Sequence, residues 1–389
     1  MRIVHVSAYY IEDLAKGYQV FELVREHISD GHEVHIVTSN QNIGNKNYIE
    51  NAIKTGKITT NLPELSTADS GAIIHRLSPL FKVTGRLWWK KFKSTLIDLQ
   101  PNYIIVHNIL EFQTLRLLFF AEELNCPIVF DDHTTINLVR RDFFGKLAYW
   151  IFRSFFADYL YSKASSIVGI SDSCTKVLNK QFGLKGEKIT MIPLGCNTKI
   201  YYPDINKRKI YRENIRIGND EILIVYTGKV YDEKKVHLII SALNDKMFQG
   251  NKIAIQIVGT VYNDYKEFLT SEIENSTHRV ILTPNVNHEE LSKIYNSADI
   301  CVWPAHTTTS TLDASACGSP IICSDYKKER YSYGNGIGIK DGDLESLKIA
   351  LKELINNNNL RNYMSERGIQ MIKDNHQWTE ISRRFIDFK

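Results

Sequence analysis

ICVWPAHTTTSTLDASACGSPIICSD, residues 300 to 325, decides how the rest of the chain is read. Ile300 to Trp303 form an apolar run that Pro304 stops, which suits a buried parallel strand. Ala305 to Thr311 are small or hydroxyl-bearing and read as a loop. Leu312 to Cys317 make a compact helix, and Gly318 supplies its left-handed C-terminal cap. Pro320 to Cys323 begin a second buried strand. In an open α/β sheet, ligands sit beyond the carboxyl ends of strands, and a helix N-terminus there attracts anions. Thr309, Ser310 and Thr311 are therefore expected to offer N–H and hydroxyl donors to a phosphate, and Asp313 to accept from a sugar diol. A solvated strand-to-helix turn would use the same residue types.

Outward from this stretch, the length bounds the architecture. With 389 residues the chain exceeds one ordinary core, and two α/β domains of roughly 190 residues each fit best. A hydrophobic share of 43% and a charged share of 24% are those of a soluble globular protein. No run of 18 apolar residues occurs, and the opening MRIVHVSAYY reads as a strand rather than a signal peptide. Cys126, Cys174, Cys196, Cys301, Cys317 and Cys323 stand singly, so reduced thiols in a cytoplasmic protein are expected, with neither a disulfide frame nor a zinc site. Lys and Arg outnumber Asp and Glu by 23 to 19 in residues 1–200 and match them 25 to 25 beyond, so the net charge of +4 belongs to the first half. Nucleic acid is not an expected partner.

The first half reads as alternating strand and helix. IVHV is a strand, Val20, Phe21, Val24 and Ile28 recur at helical spacing, and Val34 to Val37 form the next strand. The loop between carries Gly17, a weak phosphate signal compared with GxGxxG. Residues 40–70 read as a long polar loop with a small excursion of secondary structure. RLSPLFKVTGRLWWKKFK, residues 76–93, holds six basic residues and no acid. It is expected to be a loop leading into an amphipathic basic helix suited to an anionic membrane surface, or equally a helix with one core face. NYIIVHN places His107 and Asn108 at a strand end, and CPIVFDDHTT places His133 at another. Two histidines at ends lining one cleft favour a functional role over a core one. Residues 139–163, with Arg140, Arg141, Lys146 and Arg153, read as an aromatic-rich helix or helix pair, a second candidate membrane or acceptor face whose aromatics mostly suit core packing. IPLGCNTKIYYPD reads as a linker. The second half restarts with EILIVYTG, and Lys229 and Lys234 flank the next helix start as a possible cationic pocket for a diphosphate.

The order and spacing of GHEVHIVTS, IVGISDSCTKVL, MIPLGCNTKIYYPD, YTGKVYDEKKVHLIISAL, LSKIYNSADICVWPA, LDASACGSPIICSD and HQWTEISRRF resemble the GT-B glycosyltransferases of family 4, nearly end to end. The resemblance implies two Rossmann-like, doubly wound parallel-sheet domains facing a central cleft. The acceptor-side domain would be 1–195, with a helix at 375–389 crossing back, and the donor domain 196–374. It implies Lys229 and Lys234 as the diphosphate-holding cations, Asp313 as the ribose-binding acid, His133 as the histidine facing the donor sugar, and Gly17 as the remnant of a Gly-rich loop. His107 and Asn108 stand on the acceptor side. The chain departs from the family in three places. Ala305 replaces the first acid of the paired-Glu motif, His306 and Thr308 replace glycines, and Lys235 replaces the Gly after the second basic residue.

The implied chemistry is retaining transfer of a sugar from a nucleoside-diphosphate sugar to a hydroxyl of a glycan or lipid-linked acceptor. No cofactor and no essential metal are expected, because no DxD motif stands near the donor and the lysines replace the cation. An enzyme of surface polysaccharide or glycoconjugate synthesis, peripheral at the inner face of the cell membrane, is the expected context. A catalytically weak GT-B subunit serving a partner enzyme, or another GT-B enzyme such as a phosphorylase or an inverting transferase, are the competing readings.

Overall fold

The computed structural model describes residues 1–8, 10, 17–41, 62–83, 86–136 and 138–388. Most of the expected polar loop at 40–70, namely residues 42–61, lies outside them. The chain divides into two compact units, residues 1–194 with 378–389, and residues 195–377. The second unit runs on to Gln377 because the Cys196 N–H donates to the carbonyl of buried His376 at 2.7 Å.

In unit 1 the strands are β1 (Arg2–Val6), β2 (Glu33–Ser39), β3 (Leu65–Thr67), β4 (Ile73–Leu77), β5 (Pro79–Val83), β6 (Arg86–Trp89), β7 (Tyr103–His107), β8 (Ile128–Asp132), β9 (Ser166–Gly169) and β10 (Ile189–Met191). Its helices are α1 (Gln19–Ser29), α2 (Phe92–Leu99), α3 (Phe112–Leu118), α4 (Ala121–Leu124), α5 (Phe143–Phe155), α6 (Ala157–Lys163) and α7 (Asp172–Lys180). Eight strands join in the order β10-β9-β8-β7-β1-β2-β4-β3, parallel except for β3 against β4. Side chains alternate between two buried faces, as a sheet covered on both sides requires. Val4, Val6, Ile104, Val106, Ile128 and Phe130 pack on one face. Ile3, Tyr103, Ile105 and Val129 pack on the other, where Trp378, Ile381 and Phe385 of the returning C-terminal helix close the core.

Unit 2 holds β11 (Ile222–Thr227), β12 (Ile253–Val258), β13 (Arg279–Thr283), β14 (Ile300–Trp303), β15 (Ile321–Ser324) and β16 (Gly336–Ile339) in the all-parallel order β13-β12-β11-β14-β15-β16. Its helices are α8 (Ile205–Asn214), α9 (His237–Leu243), α10 (Asn263–Glu274), α11 (His288–Ser297), α12 (Ser310–Ala316), α13 (Leu344–Asn356) and α14 (Asn358–Asn375). The chain then returns to unit 1 as α15 (Trp378–Phe385). Strand order reverses between β11 and β14 here, and between β1 and β7 in unit 1, so each sheet has its own switch point, the place where open α/β sheets generally bind ligands.

Three expectations are corrected. Residues 76–93 are not a loop and basic helix but an antiparallel hairpin, β5 with β6, ahead of a short helix. Trp89 is buried among Phe92 and its neighbours, Trp88 stacks on Phe81 beneath the Arg116 guanidinium, and Lys93 pairs with Glu123. Trp89 is thereby withdrawn from any membrane surface, while Trp88 is half-buried. Conversely, the aromatics of α5, expected mostly in the core, are largely outside it. Phe143, Phe144, Leu147, Trp150, Ile151 and Phe155 are exposed, while Gly145, Tyr149 and Phe152 form the buried stripe. The strand β16 escaped the sequence reading because half of it is glycine. A Cβ on Gly336 would stand 2.3 Å from the Ile321 carbonyl oxygen, so close strand packing excludes the side chains that usually signal a strand.

Candidate functional site

In unit 2 the loops after β11 and β14 flank the switch point, and they carry the residues singled out from sequence. Lys229 is exposed just beyond β11. Lys234 ends a single 3₁₀ turn and is buried, its amine donating to the His306 carbonyl oxygen at 2.6 Å. Burial holds its ammonium below the ordinary range; the Asp341 charge opposes this and the Lys229 charge adds to it. One Lys234 N–H is spent on pinning the 305–311 loop, and an ammonium has two more.

Asp341 fixes the other side of that loop. It accepts from the His306 N–H at 3.1 Å and from the Ser324 hydroxyl, while the Thr307 hydroxyl accepts from the Ser324 N–H at 2.9 Å. His306, at a position where the family carries glycine, has φ of 49°. The chain thus keeps the left-handed backbone that glycine would adopt without a Cβ penalty. Ala305 beside it is buried. Asp341 was not singled out from sequence; its only signal was an Asp-Gly pair two residues after a strand.

Thr309 caps α12, Ser310 opens it, and Thr311 is buried with its hydroxyl donating to the Thr308 carbonyl. Their backbone N–H groups start a helix and lack intrahelical partners, whereas the Thr311 side chain is spent internally. That corrects its expected role as a hydroxyl donor. Asp313, half-buried in the first turn, accepts from the Cys196 thiol at 3.3 Å. Its charge faces Tyr201, Tyr295 and Arg330.

Unit 1 gathers its groups at the β1–β7 switch point. Gly17 stands exposed ahead of α1 with φ of 82°. Asn108, exposed with φ of 74°, ends β7. His107 is corrected as an acceptor-binding residue, because it is buried and both ring nitrogens are engaged. Nδ1 lies 2.9 Å from Asp131 Oδ2 and Nε2 lies 3.0 Å from His5 Nδ1. His5 Nε2 continues to His27 Nδ1 at 3.2 Å, and His27 Nε2 to the Ser382 carbonyl oxygen of α15 at 3.0 Å. His133 lies just past β8 with its side chain 37% exposed, its Nε2 3.7 Å from the same Asp131 oxygen.

Burial works to raise the Asp131 carboxyl, but the charge and hydrogen bond of His107, joined by His133, hold it well below the usual carboxylate range. Burial lowers His5 well below its ordinary value and His27 to about 4. For His133, burial lowers the ring's proton affinity, the Asp131 interaction raises it, and the rise prevails. Sequence reasoning found His107 and His133 but missed His5 and His27. A polar residue inside the apolar IVHV run was the one available signal for His5. Among the described residues, no group of three or more His, Cys, Asp or Glu is placed to hold a metal ion.

Two sequence families divide the chain between them. "Glycosyltransferase Family 4" matches residues 17–200, and "Glycosyl transferases group 1" matches residues 207–371. The chain belongs to the family 4 glycosyltransferases of the GT-B type. An uncharacterized glycosyltransferase of Methanocaldococcus jannaschii is 27% identical over 253 residues, 63% of this chain and 62% of that protein. The capsular polysaccharide biosynthesis glycosyltransferase CapM of Staphylococcus aureus is 21% identical over 257 residues, 60% of this chain and 66% of its own. Each match spans under two thirds of the relative's length. The crystal structure of Anabaena HepE in complex with UDP superposes with a TM-score of 0.72 at 12% identity, covering 100% of this chain and 99% of that one, a likeness of fold.

Proposed function

We propose that the protein is a retaining glycosyltransferase that moves a sugar from a nucleoside-diphosphate sugar to a hydroxyl of a lipid-linked glycan at an anionic membrane face. The observation that carries this reading is the placement of Lys229 and Lys234 in the loop after β11 at the unit 2 switch point, Lys234 being bonded to the loop that leads into α12. The acceptor oxygen bonds to the anomeric carbon on the face from which the phosphate departs. The carbon–phosphate-oxygen bond breaks, and the hydroxyl proton passes to the departing phosphate oxygen. Charge growing on the diphosphate meets two ammonium groups and helix-end N–H donors, each such donor worth about 3–4 kcal/mol when well placed. In this reading the lysines stand in for a divalent cation and no resident metal is required, so transfer should survive a chelator. Asp313 accepts from the nucleotide ribose, and His133 faces the sugar. The UDP bound by HepE and the capsular polysaccharide biosynthesis of CapM accord with a nucleotide-sugar donor and a glycan product.

The membrane part rests on α5. Its exposed stripe, including Phe143 at 72% and Phe144 at 71%, adjoins a cavity of about 280 Å³ whose lining includes Arg140, Arg141, Lys146, Lys176 and Lys180. Apolar rings beside a basic cavity complement an anionic headgroup layer or a lipid phosphate, and each Lys or Arg near such a surface contributes about 1 kcal/mol. No helix among the described residues is long and apolar enough to cross a membrane. Vesicle co-sedimentation tests this. Binding to vesicles containing phosphatidylglycerol should weaken with salt and be lost when Phe143 and Phe144 are changed to Asp. Absence of vesicle binding together with dimerisation through the same face would assign α5 to a second copy instead.

A binding subunit serving a partner enzyme is the second reading, favoured by buried Ala305 in place of an acid. Slow hydrolysis of one sugar nucleotide from a panel supports the enzyme; nucleotide binding without hydrolysis or transfer supports the subunit.

A further inference from the structure

The chain of rings in unit 1 runs between two groups that can only accept hydrogen bonds, the Ser382 carbonyl and, when ionised, the Asp131 carboxylate. Four contacts of 2.9–3.2 Å connect them through His27, His5 and His107. Each contact needs one proton, so four protons are required. Three neutral imidazoles carry three. With three protons, satisfying the contacts from the Ser382 end leaves the last nitrogen, His107 Nδ1, turning a lone pair on a buried carboxylate. One excess proton completes all four. Its place is His107, as imidazolium against Asp131, with His5 and His27 neutral and donating in turn towards α15.

Charge demands the same count. Asp131 is fully buried and its Oδ1 has no hydrogen-bond partner among the described residues. A buried carboxylate needs a cationic partner, and those in reach are His107 and His133. The same Oδ2 serves both rings. Register explains how the chain was assembled: β1, β7 and β8 are adjacent, and His5, His107 and Asp131 share the sheet face of Ile3, Ile105 and Val129.

We propose that the His27–His5–His107 chain stores one excess proton, that this proton keeps Asp131 a carboxylate, and that Asp131 is thereby the positioning residue of His133. The role for His133 rests on the functional reading above; the stored proton does not. With the proton in place, His133 meets a neutralised ion pair and stays free to exchange hydrogen bonds with a sugar. Without it, His133 becomes the principal counter-ion of Asp131. The other ionisable groups facing this system are Asp30 and His32 beside His27, and Asp132 beside His133.

Nitrogen-15 NMR of the full chain with labelled histidine decides the matter. At pH 8.5 one ring should carry protons on both nitrogens. That signature should persist in His133→Ala and vanish in His5→Phe, which leaves His107 Nε2 without an acceptor. The titration midpoint of His133 should rise by about one pH unit in His5→Phe, from the unshielded carboxylate, and stay put in His27→Gln, whose amide can accept from His5 and donate to Ser382. Absence of a doubly protonated ring in the wild-type chain overturns the proposal, even if the His5 variant does not fold. So does an unmoved His133 midpoint in a folded His5→Phe protein. If His133→Ala retains full transfer, the catalytic reading of His133 fails while the NMR result still decides the stored proton.

Discussion

Unit 1 buries His5, His27, His107 and Asp131 against one another, whereas unit 2 keeps its candidate cations at the rim of the sheet, with Lys229 exposed and Lys234 tied to a loop carbonyl. Both arrangements stand at the switch point of a parallel sheet, yet they differ in what holds a charge in place. In unit 1 each ionisable side chain is the partner of the next, so breaking the chain at His5 reaches the protonation of His107 and, through Asp131, of His133. In unit 2 the loop is held by Asp341 and by Lys234 through the His306 carbonyl, so exposed Lys229 can be altered without touching the loop, whereas Lys234 cannot.

Acid should separate the two most strongly. The folded-state proton affinity of His27 is lowered to about 4 from 6.5, so between those values the unfolded chain binds the extra proton. Stability from this group is complete above about pH 6.5 and falls as pH drops toward 4, by roughly 3 kcal/mol. His5 adds to it in the same direction. Hydrogen exchange at pH 5, corrected for intrinsic rates, should show unit 1 opening before unit 2; equal opening would break the contrast.

Next come the lysines. Lys229→Ala and Lys234→Ala should each lower transfer on the order of 10²-fold, about 2.7 kcal/mol, through loss of a donor to the departing diphosphate. Near-normal turnover in both would remove the clamp. Asp313→Ala should weaken nucleoside-diphosphate binding by roughly 1.5–3 kcal/mol in calorimetry, the range for hydrogen bonds to a charged group. Unchanged affinity would detach the ribose from α12. The smallest effect concerns His306. His306→Gly should leave thermal stability within about 0.5 kcal/mol, while His306→Val should cost about 1 kcal/mol or more, because a β-branched residue is strained at positive φ. Similar melting of the two variants would show that the loop backbone is not fixed.

The contrast also explains what could be read in advance. Unit 2 was legible because its groups lie where pattern changes. Lys229 follows an apolar strand and a glycine, and Asp313 follows a proline-stopped strand and a hydroxyl-rich loop. Both strand runs and turn residues are local signals. In unit 1 the decisive relation is a match of register among three strands and two helices, 355 residues apart between His27 and Ser382. No local window contains it. The hairpin at 79–89 was misread for a related reason: an apolar-basic alternation fits a short strand and an amphipathic helix about equally well, and burial of Trp89 settles it. The α5 aromatics were assigned to a core on composition, which carries no information about which stripe turns inward.

Helix α15 gives the fold an order in time. Unit 2 is continuous and can close as soon as its last strand and helices leave the ribosome. Unit 1, though made first, needs Trp378, Ile381 and Phe385 for one face of its core and the Ser382 carbonyl for its histidine chain. Domains usually fold in the order they are synthesised; here the N-terminal unit waits for α15. A released chain truncated before Trp378 should therefore carry a folded second half and a first half that is still open to proteases.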